Sequence, residues 1–203
     1  MKKYKNIVFD IGDVLLSYRW KDMLINDYGM NEKDALEFGE GIFTDQVWRD
    51  MDRGLLSIEG VKNRFRDEKK KYATVLCWFL DNAEQMSIET PDIWERVKEL
   101  KKKGYKIYLL SNYCHELLNR HLKSATFLND VDGKIISSDY GVVKPERKIY
   151  EILLDKFSLN PHDCIFFDDR KENIEGAKDV GIDGFLVDDM TKFRNTLDEL
   201  LAM

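Results

Sequence analysis

Asp10 and Asp13 break an apolar run, IVFDIGDVLL (residues 7–16), and a second acidic pair, Asp168 and Asp169, closes another, CIFFDD. Between these in the chain, Ser111 follows IYLL, and Lys144 lies in GVVKPERKIY. Carboxylates brought together in water-poor surroundings repel one another unless a cation neutralises them, and oxygen ligands of this kind suit Mg²⁺. A hydroxyl and an ammonium beside such a cation supply a donor and a positive charge for a phosphoryl group. Taken singly, each residue has a plainer reading. An aspartate after a strand often caps a turn, Ser111-Asn112 suits a helix cap, Lys144-Pro145 is ordinary loop, and Asp168-Asp169 could cap a helix near Lys171. The conjunction carries the chemical reading.

The elements that must position these residues are short runs rich in valine, isoleucine and aromatics: 4–9, 105–110, 134–137, 164–167 and 184–187. They read as buried parallel strands. Helical patterns separate the last four, and the clearest is TPDIWERVKELKKKG. There Thr90 is the expected N-cap, Pro91 sits at the first helical position, and Gly104 follows the end. The alternation predicts an α/β fold with a Rossmann-like, doubly wound parallel sheet, whose strand tips open on one edge where ligands bind. Residues 17–89 differ: helix-like spacing (Ala35, Phe38, Ile42; Val61, Phe65; Val75, Phe79) and no convincing strand. They read as an all-helical cap inserted after the first strand, with 1–16 and 90–203 forming the core domain. The charge run KNRFRDEKKKY inside it reads as a solvated helix face.

Composition narrows the partners. The chain has 203 residues, 43% hydrophobic and 34% charged, with a formal net charge of -6 and cations spread along its length, so neither nucleic acid nor an anionic membrane is the expected partner. Three cysteines without CxxC spacing point to the cytoplasm. No apolar stretch approaches the roughly 18 residues of a membrane span.

In FDIGDVLL, LLSN, VKPE and FFDDRKENIEGAKDVGI the chain resembles the haloacid dehalogenase (HAD) superfamily of hydrolases, in the branch whose helical cap follows the first strand (subfamily IA). All four family motifs occur in the family's order. Within it, the likeness is to the group of a bacterial glucose-1-phosphate phosphatase and the phosphatase domain of soluble epoxide hydrolase. The resemblance implies a Mg²⁺-dependent phosphomonoester hydrolase acting on a small phosphorylated metabolite, such as a sugar phosphate, through an aspartyl-phosphate. Asp10 falls at the nucleophile's position. Ser111, Asn112 and Lys144 fall where the phosphate is held. Asp10, Asp169 and the Gly12 carbonyl match the metal ligands, and Asp168, Asp13 and Asn173 take supporting places.

One position departs from the family pattern. Most such phosphatases carry a second aspartate two residues after the nucleophile, as general acid and base; here Gly12 stands there. Asp13 is one place further on, and on extended backbone a one-residue shift turns the side chain to another face. Without a general acid, good leaving groups such as sugar 1-phosphates or aryl phosphates are the expected substrates. Three other readings follow from the same residues. A dehalogenase uses the same nucleophile on carbon without a metal. A receiver module shares the acidic pair and lysine, but places the pair early in the chain. A catalytically degenerate HAD-like binding protein would explain Gly12. His115, His121 and His162 lack ligand spacing and suggest surface or capping roles; Cys114 suggests packing. Trp20, Trp48 and Trp78 suggest helix packing, and Arg49 and Arg53 solvated ion pairs.

Overall fold

The structure, a computed structural model, describes residues 3–68 and 70–203. Its centre is a five-stranded sheet built from β1 (Asn6–Phe9), β4 (Lys106–Ser111), β5 (Gly133–Ile136), β6 (Cys164–Asp168) and β7 (Asp183–Leu186). The order is β5-β4-β1-β6-β7 and every pairing is parallel. Each expected strand run is thus realised to within about two residues of its predicted bounds.

Alternation along β1 sorts its side chains between two layers. Ile7 and Phe9 face a layer completed by α6 (Pro91–Lys102) and α10 (Met190–Ala202), where Phe9 stacks on Phe167, Phe193 packs against both rings, and Ile93, Val97 and Leu197 are fully buried. Val8 points the other way, into a cluster with Tyr150 and Leu153 of α8 (Arg147–Phe157) and Ile174 and Ala177 of α9 (Lys171–Lys178). The run is apolar without a polar face because both faces are covered.

Between β1 and α6 the chain leaves the sheet. It passes through β2 (Leu16–Tyr18), a single turn α1 (Trp20–Asp22) continued by a π-turn, α2 (Glu32–Phe43), α3 (Gln46–Asp52), α4 (Ile58–Asp67) and α5 (Ala73–Asp81), then returns through β3 (Ser87–Glu89). This insert has its own aromatic core: Phe38 meets Phe79 at 5.6 Å and Phe43 meets Trp48 at 5.0 Å, edge to face. Burying a side chain such as Phe38 contributes about 1.5–3 kcal/mol. Trp20, Trp48 and Trp78 pack partly buried against this core, as expected.

Three local expectations need correction. β2 and β3 pair antiparallel, Ser17 opposite Ile88, so the limits of the insert contain strand. Three-residue strands are too short to show periodicity. Thr90 occupies the cap position of α6 but makes no capping bond; its hydroxyl donates to the Leu15 carbonyl at 2.7 Å, as the Trp94 indole does to the same oxygen. The exit from β1 and the start of α6 are tied together there. Finally, Lys62 of the charge run is buried against Asp81 rather than solvated.

Candidate active site

Asp10 leaves the end of β1, its amide donating to the Phe167 carbonyl at 2.9 Å, which sets it level with the end of β6. The sheet register therefore brings the tips of β1, β4 and β6 together, and their polar residues meet. Ser111 Oγ donates to Asp10 Oδ1 at 2.6 Å, and Lys144 Nζ lies 2.9 Å from the same oxygen. Lys144 Nζ also donates to Asp168 Oδ2 at 2.6 Å. Asp10, Ser111, Lys144 and Asp168 are all buried.

The loop carrying Lys144 is held by Asn112, whose side chain donates to the Lys144 carbonyl at 3.0 Å and accepts from its amide at 2.7 Å. Asn173 Nδ2 donates to both oxygens of Asp168, at 2.9 and 3.1 Å, and the Arg170 amide adds a third donor at 2.8 Å. With Lys144, this saturates the Asp168 carboxylate and fixes it as the clamp that aims the lysine. Asp169 accepts no hydrogen bond and makes no ion pair among the described residues.

Electrostatics follow from this crowding. Burial pushes the Asp10 carboxyl up; Lys144 and the Ser111 hydroxyl pull it back, and Asp168 adds to the rise. Burial alone would lower Lys144, but Asp10 and Asp168 outweigh it and raise the ammonium. Burial, then Asp10 and Asp168, push Asp169 up to about 7. Oxygens of Asp10, Asp168 and Asp169 lie within 4.8 Å of one another. Three carboxylates against one ammonium leave two negative charges, which one divalent hard cation on oxygen ligands would balance. The donor set therefore fits Mg²⁺, and the open ligands are Asp10 and Asp169, because Asp168 is already occupied.

Gly12 and Asp13 take different paths. A Cβ at Gly12 would lie 2.5 Å from Tyr18 Cε2 and 2.9 Å from its hydroxyl, so the Tyr18 ring fills the room of a side chain at position 12. Asp13 adopts a left-handed backbone (φ 51°) and accepts from the Tyr18 amide at 2.9 Å. It is spent on holding the start of the insert.

Two features lie outside the sequence expectations. Tyr18 is hydrogen bonded to Tyr113, whose hydroxyl lies 2.5 Å from His121 Nδ1, while His121 Nε2 lies 2.7 Å from the Ala83 carbonyl. Since a carbonyl only accepts, Nε2 carries the proton, Nδ1 accepts from Tyr113 and Tyr113 accepts from Tyr18. His121 is thus a buried partner between insert and core and not a surface residue, a correction with no local sequence signal. The other is Asp52, at the end of α3, lying within electrostatic reach of Asp10, Lys144 and Arg170. Its signal was an acid at a helix C-terminus, where the helix dipole disfavours negative charge. Arg53 reaches the Gly141 carbonyl at 3.1 Å and pairs with Glu146, so its ion pair joins the insert to the core. Cys114 is a buried packing residue, its thiol pushed up to about 11 by burial.

Among the described residues no helix is long and apolar enough to cross a membrane. Of curated proteins, a phosphatase of Mycobacterium tuberculosis (MT3486) is 29% identical over 99 residues, 48% of this chain and 46% of its own. The (S)-2-haloacid dehalogenase 4A of Burkholderia cepacia is 30% identical over 91 residues, 45% of this chain and 39% of its own. The matched stretches span less than half of these relatives. Of solved structures, the wild-type HAD family enzyme bt-2542 of Bacteroides thetaiotaomicron, in complex with magnesium and inorganic phosphate, shares the fold at a TM-score of 0.68 and 20% identity, over 90% of this chain and 93% of that one. The haloacid dehalogenase-like hydrolase family model matches residues 4–181. The chain belongs to the haloacid dehalogenase-like hydrolase family.

Proposed function

We propose that the protein is a Mg²⁺-dependent phosphomonoester hydrolase of small phosphorylated metabolites, with residues 1–16 and 90–203 as core domain and 17–89 as cap. The observation that carries this reading is the shared contact of Ser111 and Lys144 on Asp10: a hydroxyl and an ammonium converge beside an acidic nucleophile, with unsatisfied carboxylate charge next to it. Asp10 attacks phosphorus in line with the leaving oxygen. Ser111 and Lys144 turn from Asp10 to the phosphoryl oxygens and hold the charge that spreads over them. Asp168, locked by Asn173 and the Arg170 amide, keeps the lysine aimed, and Asn112 keeps its loop in register. Water then displaces the phosphoryl group from Asp10. When bound by Asp10, Asp169 and the Gly12 carbonyl, Mg²⁺ supplies charge neutralisation for the incoming phosphate.

The dehalogenase-named relative keeps a second reading in view. Against it stands Asp169, an extra half-buried carboxylate with no ion-pair partner among the described residues, which metal-free chemistry on carbon does not need. The test is phosphate release from p-nitrophenyl phosphate and a panel of sugar phosphates, with Mg²⁺ or EDTA, for wild type and Asp10→Asn. Turnover that requires Mg²⁺ and is lost in Asp10→Asn supports the proposal; halide release from a 2-haloacid without phosphate release overturns it.

A further inference from the structure

The phosphatase reading needs a proton for the leaving oxygen, and the usual place for its donor is closed. Position 12 has no side chain, and Tyr18 occupies the space one would take. Asp13 is turned to the Tyr18 amide, and the Tyr18 hydroxyl feeds a bonded chain that ends at the Ala83 carbonyl. The helical insert offers a carboxyl instead.

Asp52 ends α3, and that end is docked on the core. Its carbonyl accepts from Ser137 Oγ at 2.5 Å, and the same Oγ accepts from the amide of Tyr113, two residues beyond Ser111. Arg53 is bonded to the Gly141 carbonyl and to Glu146, on either side of Lys144. Gly54 allows this approach: its φ is +74°, and a Cβ there would lie 2.7 Å from the Ser138 carbonyl. Asp52 is therefore pinned between the segments that carry Ser111 and Lys144. The charges that act on its carboxyl are those of Asp10 at the end of β1, Lys144 before α8 and Arg170 before α9. Tyr113 and Cys114, after β4, feel its charge as well. The carboxyl accepts no hydrogen bond and makes no ion pair among the described residues. It is also not among their sealed, unpartnered polar atoms, so it retains open space beside it. An acid at a helix C-terminus, half-buried and unpaired, opposes both the helix dipole and the cost of desolvation. Such local conflicts collect where function requires them.

Resting on the phosphatase reading, we propose that Asp52 is the proton donor to the leaving-group oxygen, delivered by the insert in place of a side chain at position 12. The Asp10 oxygen–phosphorus bond forms as the bond from phosphorus to the leaving oxygen breaks. The electron pair goes to that oxygen, which takes the Asp52 proton. The resulting Asp52 carboxylate accepts a proton from the hydrolytic water as the water oxygen bonds to phosphorus and the Asp10–phosphorus bond breaks. Both groups are then restored. Burial and the neighbouring Asp10 push the Asp52 carboxyl up to about 7, a value suited to giving and taking a proton near neutrality. The preference for good leaving groups expected from Gly12 then belongs to a chain without Asp52.

The experiment compares wild type, Asp52→Asn and Asp52→Ser on p-nitrophenyl phosphate and on an alkyl phosphate, with kcat/KM followed against pH. Both variants should lose about 10²- to 10⁴-fold in kcat/KM on the alkyl phosphate and less than about tenfold on the aryl one, whose leaving group needs no proton. The basic limb of the alkyl profile should vanish. Both should show a burst of p-nitrophenolate, because the phosphorylated Asp10 forms normally but hydrolyses slowly. Equal losses on the two substrates, or no loss on the alkyl phosphate, overturn the proposal. A wild type that turns over neither substrate overturns the phosphatase reading, and this inference with it; a wild type active on both with unaltered variants overturns the inference alone.

Discussion

Gly12→Ala should destabilise the protein through one contact. The added Cβ would sit 2.5 Å from Tyr18 Cε2, 2.9 Å from its hydroxyl and 3.0 Å from Cζ, against about 3.5–4.0 Å for carbon atoms in ordinary contact. The ring has no simple retreat, since its hydroxyl is bonded to Tyr113 and its backbone is paired with Ser87 in the β2–β3 ribbon. Overpacking of this kind costs about 1–3 kcal/mol, a fall in Tm of about 2–4 °C per kcal/mol for a chain of this size. Tyr18→Ala clears the space, at its own cost in lost contacts. In the double variant the two costs should therefore fail to add, falling short of their sum by about 1–2 kcal/mol. Urea unfolding of the four proteins in EDTA at one pH measures this directly. A neutral Gly12→Ala, or strictly additive costs, would refute the claim that Tyr18 fills the position-12 space.

Other consequences follow from the same geometry. Lys144→Met strands Asp10 and Asp168, with side chains 11% and 0% exposed, so urea unfolding should show a loss of about 3–5 kcal/mol. Asp52 and Asp169 hold protons up to about pH 7 when folded but only to about 4 when unfolded, so their contribution to stability is full below about pH 4 and is lost as pH rises through about 7. Tm measured against pH should show this fall, Asp52→Asn should flatten it, and Mg²⁺ at neutral pH should raise Tm by binding the folded state alone. Asp13→Ala loses the bond to the Tyr18 amide and puts alanine in a left-handed conformation, a loss of about 1–2 kcal/mol from the backbone alone; Asp13→Gly should lose less. Chemical denaturation of the pair separates the two effects.

The parts of this site legible in the sequence are those placed by strands. A short apolar run that stops at a polar residue marks a strand tip, and a parallel sheet gathers its tips, so Asp10, Ser111 and the Asp168-Asp169 pair could be grouped without coordinates; Lys144 ends no strand and sits in the loop before α8. Asn112 and Asn173 were legible only as neighbours in motifs; that one splints the Lys144 loop and the other clamps Asp168 depends on side-chain directions that spacing does not encode. The insert was legible as helices but not in its docking. β2 and β3 are three residues each, too short for a period of two to register, and Thr90 was drawn from its capping role by a tertiary bond to Leu15. Asp52 and His121 act across the boundary between insert and core, where a helical pattern says which face is buried but not what it meets.

The role of Asp10 as nucleophile is tested most directly by mixing the protein with p-nitrophenyl phosphate and Mg²⁺ in H₂¹⁸O, quenching within the first turnover, and mapping the mass of the peptide carrying Asp10. A phosphoryl group on Asp10 is the expected result in the quenched sample. After turnover is complete, ¹⁸O should be found in the released phosphate and none in the Asp10 carboxylate, because water attacks phosphorus. An Asp10 peptide that never carries a phosphoryl group while phosphate is released, or ¹⁸O found in the Asp10 carboxylate, would contradict this role.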